Sequence, residues 1–195
     1  MTQSTYKYDT IKVDDARIDD VCAAYFKWKD LNNIIAKNSA RGLNMPDVIS
    51  EPMGCYCLDL LWNRAWGGDA TDPHKDLKVE FKATSRFCGD LSSFGLNCEF
   101  DDLVFLRFNI EENIVFVYDL KISSKEFDKL PANKKQTIKD QKTQGRRPRV
   151  SLCKLFVKRL GLKPDIVFDI RRIKILRPKD SEYKMLLEKL ESNKW

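Results

Sequence analysis

The first third of the chain carries apolar residues at the spacing of amphipathic helices. Between residues 18 and 38 they recur at steps of three and four, which predicts a helix with one apolar face. A second helix is predicted over about 46–63, and its almost continuous apolar second half indicates deep burial. Pro52 either kinks this helix or lies in its first turn after a Ser50 cap. Residues 1–15 are polar and predict only a lead-in segment.

Strict alternation of apolar and polar residues follows, and it predicts β-strands. In GGDATDPHKDLKVEFKA the apolar residues of 77–83 alternate with Lys78, Glu80 and Lys82, so a β-hairpin is expected. The later predicted elements are strands at 103–108 and 114–120, a short helix opened by a Ser123–Glu126 capping box, a helix from a Ser151 cap to Leu160, one long or two short strands over 166–176, and a helix over 181–192. This order predicts one α/β domain over residues 1–195, in which helices flank a mixed, largely sequential central sheet.

The register of the hairpin follows from the length of its turn. If 73–76 form a four-residue turn, a common hairpin length, Asp69 lies opposite Glu80. Side chains alternate between the two faces of a strand, so Asp69, Glu80 and Lys82 are expected on one face and the apolar residues on the core face. Asp72 is also acidic, but this register points it away from the group. Asp69 is therefore the acid selected as the partner of Glu80.

Two carboxylates that oppose each other across strands repel, and a bound cation removes that cost. Oxygen ligands suit Mg²⁺, which binds one or two carboxylates and completes its shell with water and phosphate oxygens. Lys82, one step along the same face, would hold or polarise the water that attacks phosphorus. The simpler alternative is a salt-bridged strand surface, because an E-x-K pattern alone is weak. A second copy, Glu182-x-Lys184, falls in a predicted helix, where residues two apart do not share a face.

Positive charge is concentrated in one segment. The chain has a net charge of +6, and residues 134–149 contain seven Lys or Arg residues against one Asp, so this basic segment carries the whole excess. That footprint is typical of a polyanion partner, although a solvated flexible loop has the same composition. The candidates for contact with DNA phosphates or bases are Lys139, Lys142, Arg146, Arg147 and Arg149, with Gln141 and Gln144 as weaker ones. Thr84 and Ser85, just past the hairpin lysine, either touch the scissile phosphate or cap the strand end.

Composition excludes several classes of protein. The chain has 43% hydrophobic and 33% charged residues, which is typical of a folded domain. It shows neither a signal-peptide pattern nor an apolar run long enough for a membrane span, so the cytoplasm is expected. His74 is the single histidine, which excludes nucleases built on paired histidines and hydrolases with a Ser-His-Asp triad plus metal histidines. The six cysteines contain no CxxC pair and predict reduced thiols, with a Cys55/Cys57/His74 cluster as the remaining zinc alternative.

The hairpin and its surroundings resemble the PD-(D/E)XK nuclease superfamily, whose core runs α-β-β-β-α-β with an acid and a (D/E)-x-K motif on adjacent strands. The matching residues are Gly68-Asp69 and Val79-Glu80-Phe81-Lys82, with glycine where the motif has proline. The resemblance implies that Asp69, Glu80 and the Phe81 carbonyl bind Mg²⁺. It also implies that Lys82 is catalytic. Glu51, in VISEPMG, matches a further catalytic glutamate that many members carry on the helix before the hairpin.

Across about half of the chain the resemblance extends to single-domain type II restriction endonucleases. The similar segments are SEPMGCYCLDL, GGDATD, VEFKATS, DDLVFLRF and QTIKDQKTQGRRPR, and they resemble the subgroup that cuts GC-rich interrupted palindromes such as GCNGC. This implies Mg²⁺-dependent, site-specific hydrolysis of double-stranded DNA that leaves 5′-phosphates, by a homodimer accompanied by a cognate DNA methyltransferase. The alternatives are a DNA repair or junction-resolving nuclease with the same hairpin, and a DNA-binding regulator without catalysis.

Overall fold

The computed structural model describes residues 9–39, 42–65, 68–86 and 90–192, with side chains described up to residue 189. Gly67 of the predicted hairpin segment and Cys88 lie outside the described residues. The helices are α1 (Asp15–Ala36), α2 (Asp47–Leu58), α3 (Ser124–Phe127), α4 (Ile138–Thr143), a π-helix (Cys153–Lys158) and α5 (Ser181–Ser192). The strands are β1 (Thr10–Lys12), β2 (Leu61–Asn63), β3 (Ala70–Asp72), β4 (Leu77–Thr84), β5 (Ser92–Ser93), β6 (Asp102–Asn109), β7 (Ile114–Asp119), β8 (Arg149–Val150), β9 (Ile166–Asp169) and β10 (Lys174–Leu176).

Eight of these strands form one sheet with helices on both faces. The strand order is β1-β2-β3-β4-β6-β7-β9-β10, which follows the chain except that β5 and β8 pair with each other in a separate small sheet. Strands β4 and β6 are parallel, and the other neighbouring pairs of the large sheet are antiparallel. The mixed, largely sequential sheet flanked by helices that the order of elements predicted is confirmed.

Two hydrophobic clusters cover the two faces of the sheet. Tyr25 of α1 and Met53 of α2 are fully buried on the first face, and Phe127 of α3 is fully buried on the second. Successive residues of β6 alternate between the clusters, with Val104 in the first and Phe105 in the second. Because both faces are covered, β6 and β7 are almost continuously apolar. Each fully buried side chain of this size stabilises the fold by about 1.5–3 kcal/mol.

The second helix is shorter than its apolar pattern predicted. α2 ends where Asp59 adopts a left-handed conformation with φ of 56°, and 61–63 form strand β2. The prediction of a helix to residue 63 is therefore wrong, since a short apolar run does not distinguish a strand from a helix turn. Pro52 lies in the middle of α2, and the Ser50 hydroxyl donates to a carbonyl one turn earlier at 3.3 Å instead of capping the start.

Several short elements were missed from the sequence. β1 lies in the predicted polar lead-in and pairs antiparallel with β2. Strands β5 and β8 have two residues each, too few for a visible alternation. Inside the basic segment, Thr137 and Asp140 form a capping box that opens α4.

The remaining elements lie close to their predicted positions. The Ser123–Glu126 capping box is present with both of its hydrogen bonds, and 166–176 form two strands. The helix after Ser151 is π-helical over most of its length, and the Ser151 hydroxyl accepts the Lys154 N–H at 3.1 Å. None of the helices in the described ranges is both long enough and apolar enough to cross a membrane.

Candidate active site

The β3–β4 hairpin has the register that its turn length predicted. Its pairs are Ala70–Val79, Thr71–Lys78 and Asp72–Leu77. Asp72 closes the turn by accepting the backbone N–H of His74 at 2.9 Å, and His74 itself is exposed. Asp69 directly precedes β3, so one more step of the same register brings it beside Glu80.

Asp69 is held against the neighbouring strand through the backbone. Its Oδ2 accepts the Phe81 N–H at 2.7 Å. Burial and the adjacent Glu80 carboxylate raise the pKa of Asp69, while Lys82 and the Phe81 N–H oppose that increase. Two carboxylates thus share a small, poorly hydrated space, in which a positive charge stabilises both of them.

Lys82 lies among the oxygens that were predicted to bind a metal. Its Nζ forms an ion pair with Glu80 Oε1 and donates to the Phe81 carbonyl at 3.1 Å. The ring of Phe94 lies on another side, with its centroid 5.4 Å from Nζ. Burial lowers the pKa of Lys82, but Glu80 and Asp69 outweigh that effect and raise the pKa overall. The side chains of Lys82 and Glu80 are only 21% and 12% exposed, so solvent screens this ion pair weakly.

Glu51 adds a third acidic side chain from the other side of the hairpin. It extends from α2, and its Oε2 accepts the indole N–H of Trp62 in β2 at 3.0 Å. Burial, followed by the Asp69 charge, raises the pKa of Glu51 to about 7. The charge of Asp69 therefore affects Glu51 across the hairpin.

The apolar face of β4 rests directly on α2. Phe81 is 4% exposed and its ring lies against Gly54, where an added Cβ would come within 2.8 Å of the ring Cζ. Only a residue without a side chain permits this close approach. The contact sets the distance between α2, which carries Glu51, and β4, which carries Glu80 and Lys82.

The donors at this site suit a hard cation that takes few protein ligands. They are the Asp69 and Glu80 carboxylates and the Phe81 carbonyl, all oxygens, and Mg²⁺ typically binds one or two carboxylates with water filling the other positions. Within the ranges that the structure describes, no three His, Cys, Asp or Glu side chains form a metal cluster. Of the residues in the zinc alternative, Cys55 and Cys57 are buried in the core of α2 and His74 lies in the exposed turn.

Two residues at the site were missed from the sequence. Phe94 follows β5, and the segment around it has no periodicity that would have indicated a position beside Lys82. Burial, and after it the Glu80 carboxylate, raises the pKa of Cys98 to about 12, while the charges of Lys82 and Lys142 oppose that increase.

The predicted DNA-contacting residues differ in their availability. The exposed ones are Lys139, Gln144, Arg146, Arg147 and Arg149. Lys142 is paired instead with Asp128 at 2.8 Å and has only 10% of its side chain exposed. The Thr84 hydroxyl accepts the Arg86 N–H at 3.1 Å at the end of β4, and Ser85 is half-buried beside it. Contact of these residues with DNA stays a prediction.

The basic segment is attached to the β3–β4 hairpin through the small sheet. The Phe94 N–H donates to the Pro148 carbonyl at 3.0 Å, next to the pairing of β5 with β8. The same Phe94 places its ring by the Lys82 ammonium. A single residue thus joins the arginine-rich end of the basic segment to the lysine of the site.

Comparison with known proteins gives a consistent result. The model of the Bsp6I restriction endonuclease family matches residues 13–159, which include the hairpin and the basic segment. The chain is also 38% identical over 170 residues to the type II restriction enzyme Bsp6I of Bacillus sp. (strain RFL6), an alignment that covers 87% of this chain and 98% of that enzyme. No solved structure matches the chain.

Proposed function

Since the chain belongs to the Bsp6I restriction endonuclease family and is a type II restriction endonuclease, we propose that it hydrolyses double-stranded DNA at a specific sequence, with Mg²⁺ bound at the β3–β4 hairpin. In this proposal Asp69, Glu80 and the Phe81 carbonyl hold the ion. Lys82 acts on the attacking water, and Glu51 completes the acidic lining. The hairpin then carries a PD-(D/E)XK motif, and the products carry 5′-phosphates.

The observation that carries this proposal is the position of Lys82. Its ammonium contacts Glu80 Oε1 and the Phe81 carbonyl, two of the three groups assigned to the cation. These oxygens therefore already face a positive charge in the protein without metal. An ordinary surface salt bridge would be well exposed and worth little, whereas this one is largely buried beside a second carboxylate.

The chemistry assigned to the chain's own residues is limited to binding, orientation and charge. Mg²⁺, when bound, activates water and neutralises charge on the phosphate. Lys82, held by the Phe81 carbonyl and the Phe94 ring, donates a hydrogen bond to the attacking water or to a phosphate oxygen. Water oxygen bonds to phosphorus as the bond to the 3′-oxygen breaks, which leaves a 5′-phosphate and a 3′-hydroxyl.

The test is digestion of plasmid and genomic DNA with and without Mg²⁺, using the wild type and the Glu80→Ala and Lys82→Ala variants. We expect discrete fragments only from the wild type with Mg²⁺, and sequencing of the fragment ends then gives the recognition sequence and the cut position. Lys184→Ala is the matched control, because Lys184 belongs to the second E-x-K pattern, which lies in α5.

Discrete fragments that persist in both hairpin variants would refute the catalytic assignment. Cleavage that prefers mismatched or branched duplexes over any short sequence would instead identify a repair or junction-resolving nuclease. Binding to DNA without cleavage in Mg²⁺ or Mn²⁺ would identify a non-catalytic regulator.

The proposal also includes partners and location. A palindromic site of the GCNGC kind requires one catalytic hairpin for each strand, hence a two-fold homodimer. A cognate methyltransferase protects the host DNA in the cytoplasm, where we expect the enzyme to act. Light scattering of the protein bound to its mapped site tests the dimer, since one protein chain per duplex would contradict it.

A further inference from the structure

Three polar side chains form a closed network on the surface of the basic segment. The Arg146 NH2 group donates to Gln136 Oε1 at 2.7 Å and to Gln144 Oε1 at 2.6 Å. Gln136 Nε2 donates in turn to Gln144 Oε1 at 3.0 Å. Each member thus contacts the other two, so the guanidinium has a defined direction although Arg146 is exposed.

The backbone explains why these three residues meet. Gln144 follows α4 as its C-cap, and Gly145 adopts a φ of 71°, a conformation that reverses the chain and that glycine adopts without strain. Arg146 is then held by its own N–H, which donates to the Gln141 carbonyl at 3.0 Å. Gln136 lies just before the capping box of α4, in a loop where its carbonyl accepts the N–H groups of Ala132 and Asn133 at 2.9 and 3.2 Å.

Within the network, the hydrogen-bond acceptors are already occupied, whereas several N–H donors are not. Both amide oxygens accept from the guanidinium, and Gln144 Oε1 accepts from Gln136 as well. Among the described residues, Arg146 NH1, Arg146 Nε and Gln144 Nε2 make no hydrogen bond, so the groups left for a ligand are N–H donors. A free glutamine would pair with adenine by donating and accepting, but these amides offer no such pair.

A surface that presents donors alone suits one base edge in the major groove. Guanine shows two acceptors there, N7 and O6, whereas adenine and cytosine show an amino donor that this network would leave without an acceptor. Phosphate oxygens are the other acceptors in a duplex, and they have no sequence preference.

The segment that carries the network is joined to the hairpin. The Pro148 carbonyl accepts the N–H of Phe94 at 3.0 Å, and the centroid of the Phe94 ring lies 5.4 Å from the Lys82 ammonium. Arg146 comes two residues before Pro148 in the chain. Next to it, Lys135, Gln136, Lys139, Asp140, Thr143 and Gln144 line a surface depression of about 390 Å³.

From this arrangement we infer that Arg146, oriented by Gln136 and Gln144, recognises a guanine of the cleavage site through its N7 and O6 atoms. Gln136 is a positioning residue in this scheme, because it acts through the guanidinium. The inference rests on the proposed function for the presence of a DNA site, and it adds the base and the residues that select it.

The test uses duplexes that carry the mapped cleavage site, with each guanine replaced in turn by 7-deazaguanine, and a duplex of scrambled sequence. Binding is measured without divalent cations. At one guanine of each half-site, we expect the replacement to weaken wild-type binding roughly 5- to 100-fold, the range for one lost base contact. In Arg146→Ala the same replacement should change binding less than about 2-fold, because the contact is already absent.

Gln136→Leu separates orientation from charge. It removes one oxygen partner of the guanidinium but keeps every positive charge, so we expect binding to the scrambled duplex to be unchanged while the preference for guanine over 7-deazaguanine falls several-fold. Arg159→Ala, at an exposed position after the π-helix, removes the same charge as Arg146→Ala and should keep the full preference.

Three outcomes would overturn the inference. A mapped site without guanine, or one whose binding is indifferent to 7-deazaguanine at every position, removes the base contact and leaves the nuclease assignment intact. Equal weakening of every duplex by Arg146→Ala, with the guanine preference retained, assigns Arg146 to a phosphate. If the wild type neither cuts plasmid DNA nor prefers any duplex, the inference and the proposed function fail together.

Discussion

Two pairs of acidic residues in the large sheet place one buried carboxyl beside another, but the repulsion between the two groups is reduced in different ways. Asp69 and Glu80 meet in the β3–β4 hairpin, and Asp102 and Asp119 meet where β6 begins and β7 ends. Burial and a neighbouring carboxylate raise the pKa of Asp69, and the same two causes raise the pKa of Asp102 to about 7. The two pairs lie on opposite faces of the sheet. Phe81 and Val104 are paired and both face the α1–α2 side. Glu80, next to Phe81, therefore faces away from α1 and α2, whereas Asp102, two residues before Val104, faces towards them.

The difference between the pairs is the cation. Burial raises the pKa of Asp102 most, the charge of Asp119 and a hydrogen bond with it raise that pKa further, and two backbone N–H groups oppose the increase. The hairpin pair has Lys82 instead, whose ammonium is paired with Glu80 and whose charge opposes the increase in the pKa of Asp69. Two close carboxylates are therefore not by themselves a site; the buried ammonium beside them is what distinguishes the hairpin.

The strongest test of this comparison removes that cation. Lys82→Met should leave the hairpin acids in the situation of the Asp102 pair and slow DNA cleavage about 10²- to 10⁴-fold, the usual cost of losing a charged group that acts in the transition state. Single-turnover cleavage of a duplex carrying the mapped site measures the effect. Asp102→Asn is the control and should cleave at nearly the wild-type rate; a Lys82→Met rate within about 10-fold of wild type contradicts the role of the cation.

The second test disturbs the support under the hairpin pair alone. Gly54→Ala should gain up to about 1 kcal/mol of helix propensity in α2 but lose more through the clash with the buried Phe81 ring, giving a net destabilisation of about 1–3 kcal/mol. Urea unfolding measures it. Gly54→Ala combined with Phe81→Leu should recover part of the loss, and a Gly54→Ala variant as stable as wild type would show that the close contact is unimportant.

The third test titrates the pair without a cation. Because the pKa of Asp102 is raised in the folded protein, the native state holds a proton that the unfolded chain releases, and stability falls as the pH rises from about 4 to 7. Asp102→Asn removes this loss. With allowance for partial exposure, we expect it to stabilise the protein by about 1–2 kcal/mol at pH 8 and by little at pH 4.5. Equal stability of the variant and the wild type at both pH values would contradict the raised pKa of Asp102.

The smallest effect is expected at Glu51, a buried acid whose pKa is raised like that of Asp102 but which lies close enough to the hairpin pair to be affected by the charge of Asp69. Its pKa is also raised, to about 7, so its ionisation costs stability as the pH rises towards neutrality. The Trp62 indole N–H, which Gln can also accept, favours the charged form and reduces that cost. Glu51→Gln should therefore stabilise the metal-free protein by about 1 kcal/mol at pH 8 relative to pH 4.5. Thermal unfolding at the two pH values checks this, and a variant that is less stable at pH 8 would exclude it.

The candidate site was predictable to the extent that it depends on local rules. A four-residue turn and the alternation of strand residues determine which side chains join Asp69, and the observed pairs of β3 and β4 agree with that register. The capping box at Ser123 and the limits of α5 were likewise local and correct.

The parts that failed depend on contacts between distant segments. The strand at 61–63 looked like the end of a helix, because its apolar residues continue those of α2 and Asp59 gives no glycine-like signal for the left-handed break. Phe94 and Gln136 carry no pattern of their own; their positions beside Lys82 and Arg146 exist only after the chain has folded. The two-residue strands β5 and β8, which bring these segments together, are too short to detect.

The outer strands of the large sheet bear on how the enzyme behaves at high concentration. Among the described strands the sheet ends at β1 and β10, which have three residues each and both carry a lysine. Short, charged margins give another molecule few backbone groups to pair with. The edges of the sheet therefore offer little for edge-to-edge pairing of two molecules, although the central strands are almost wholly apolar.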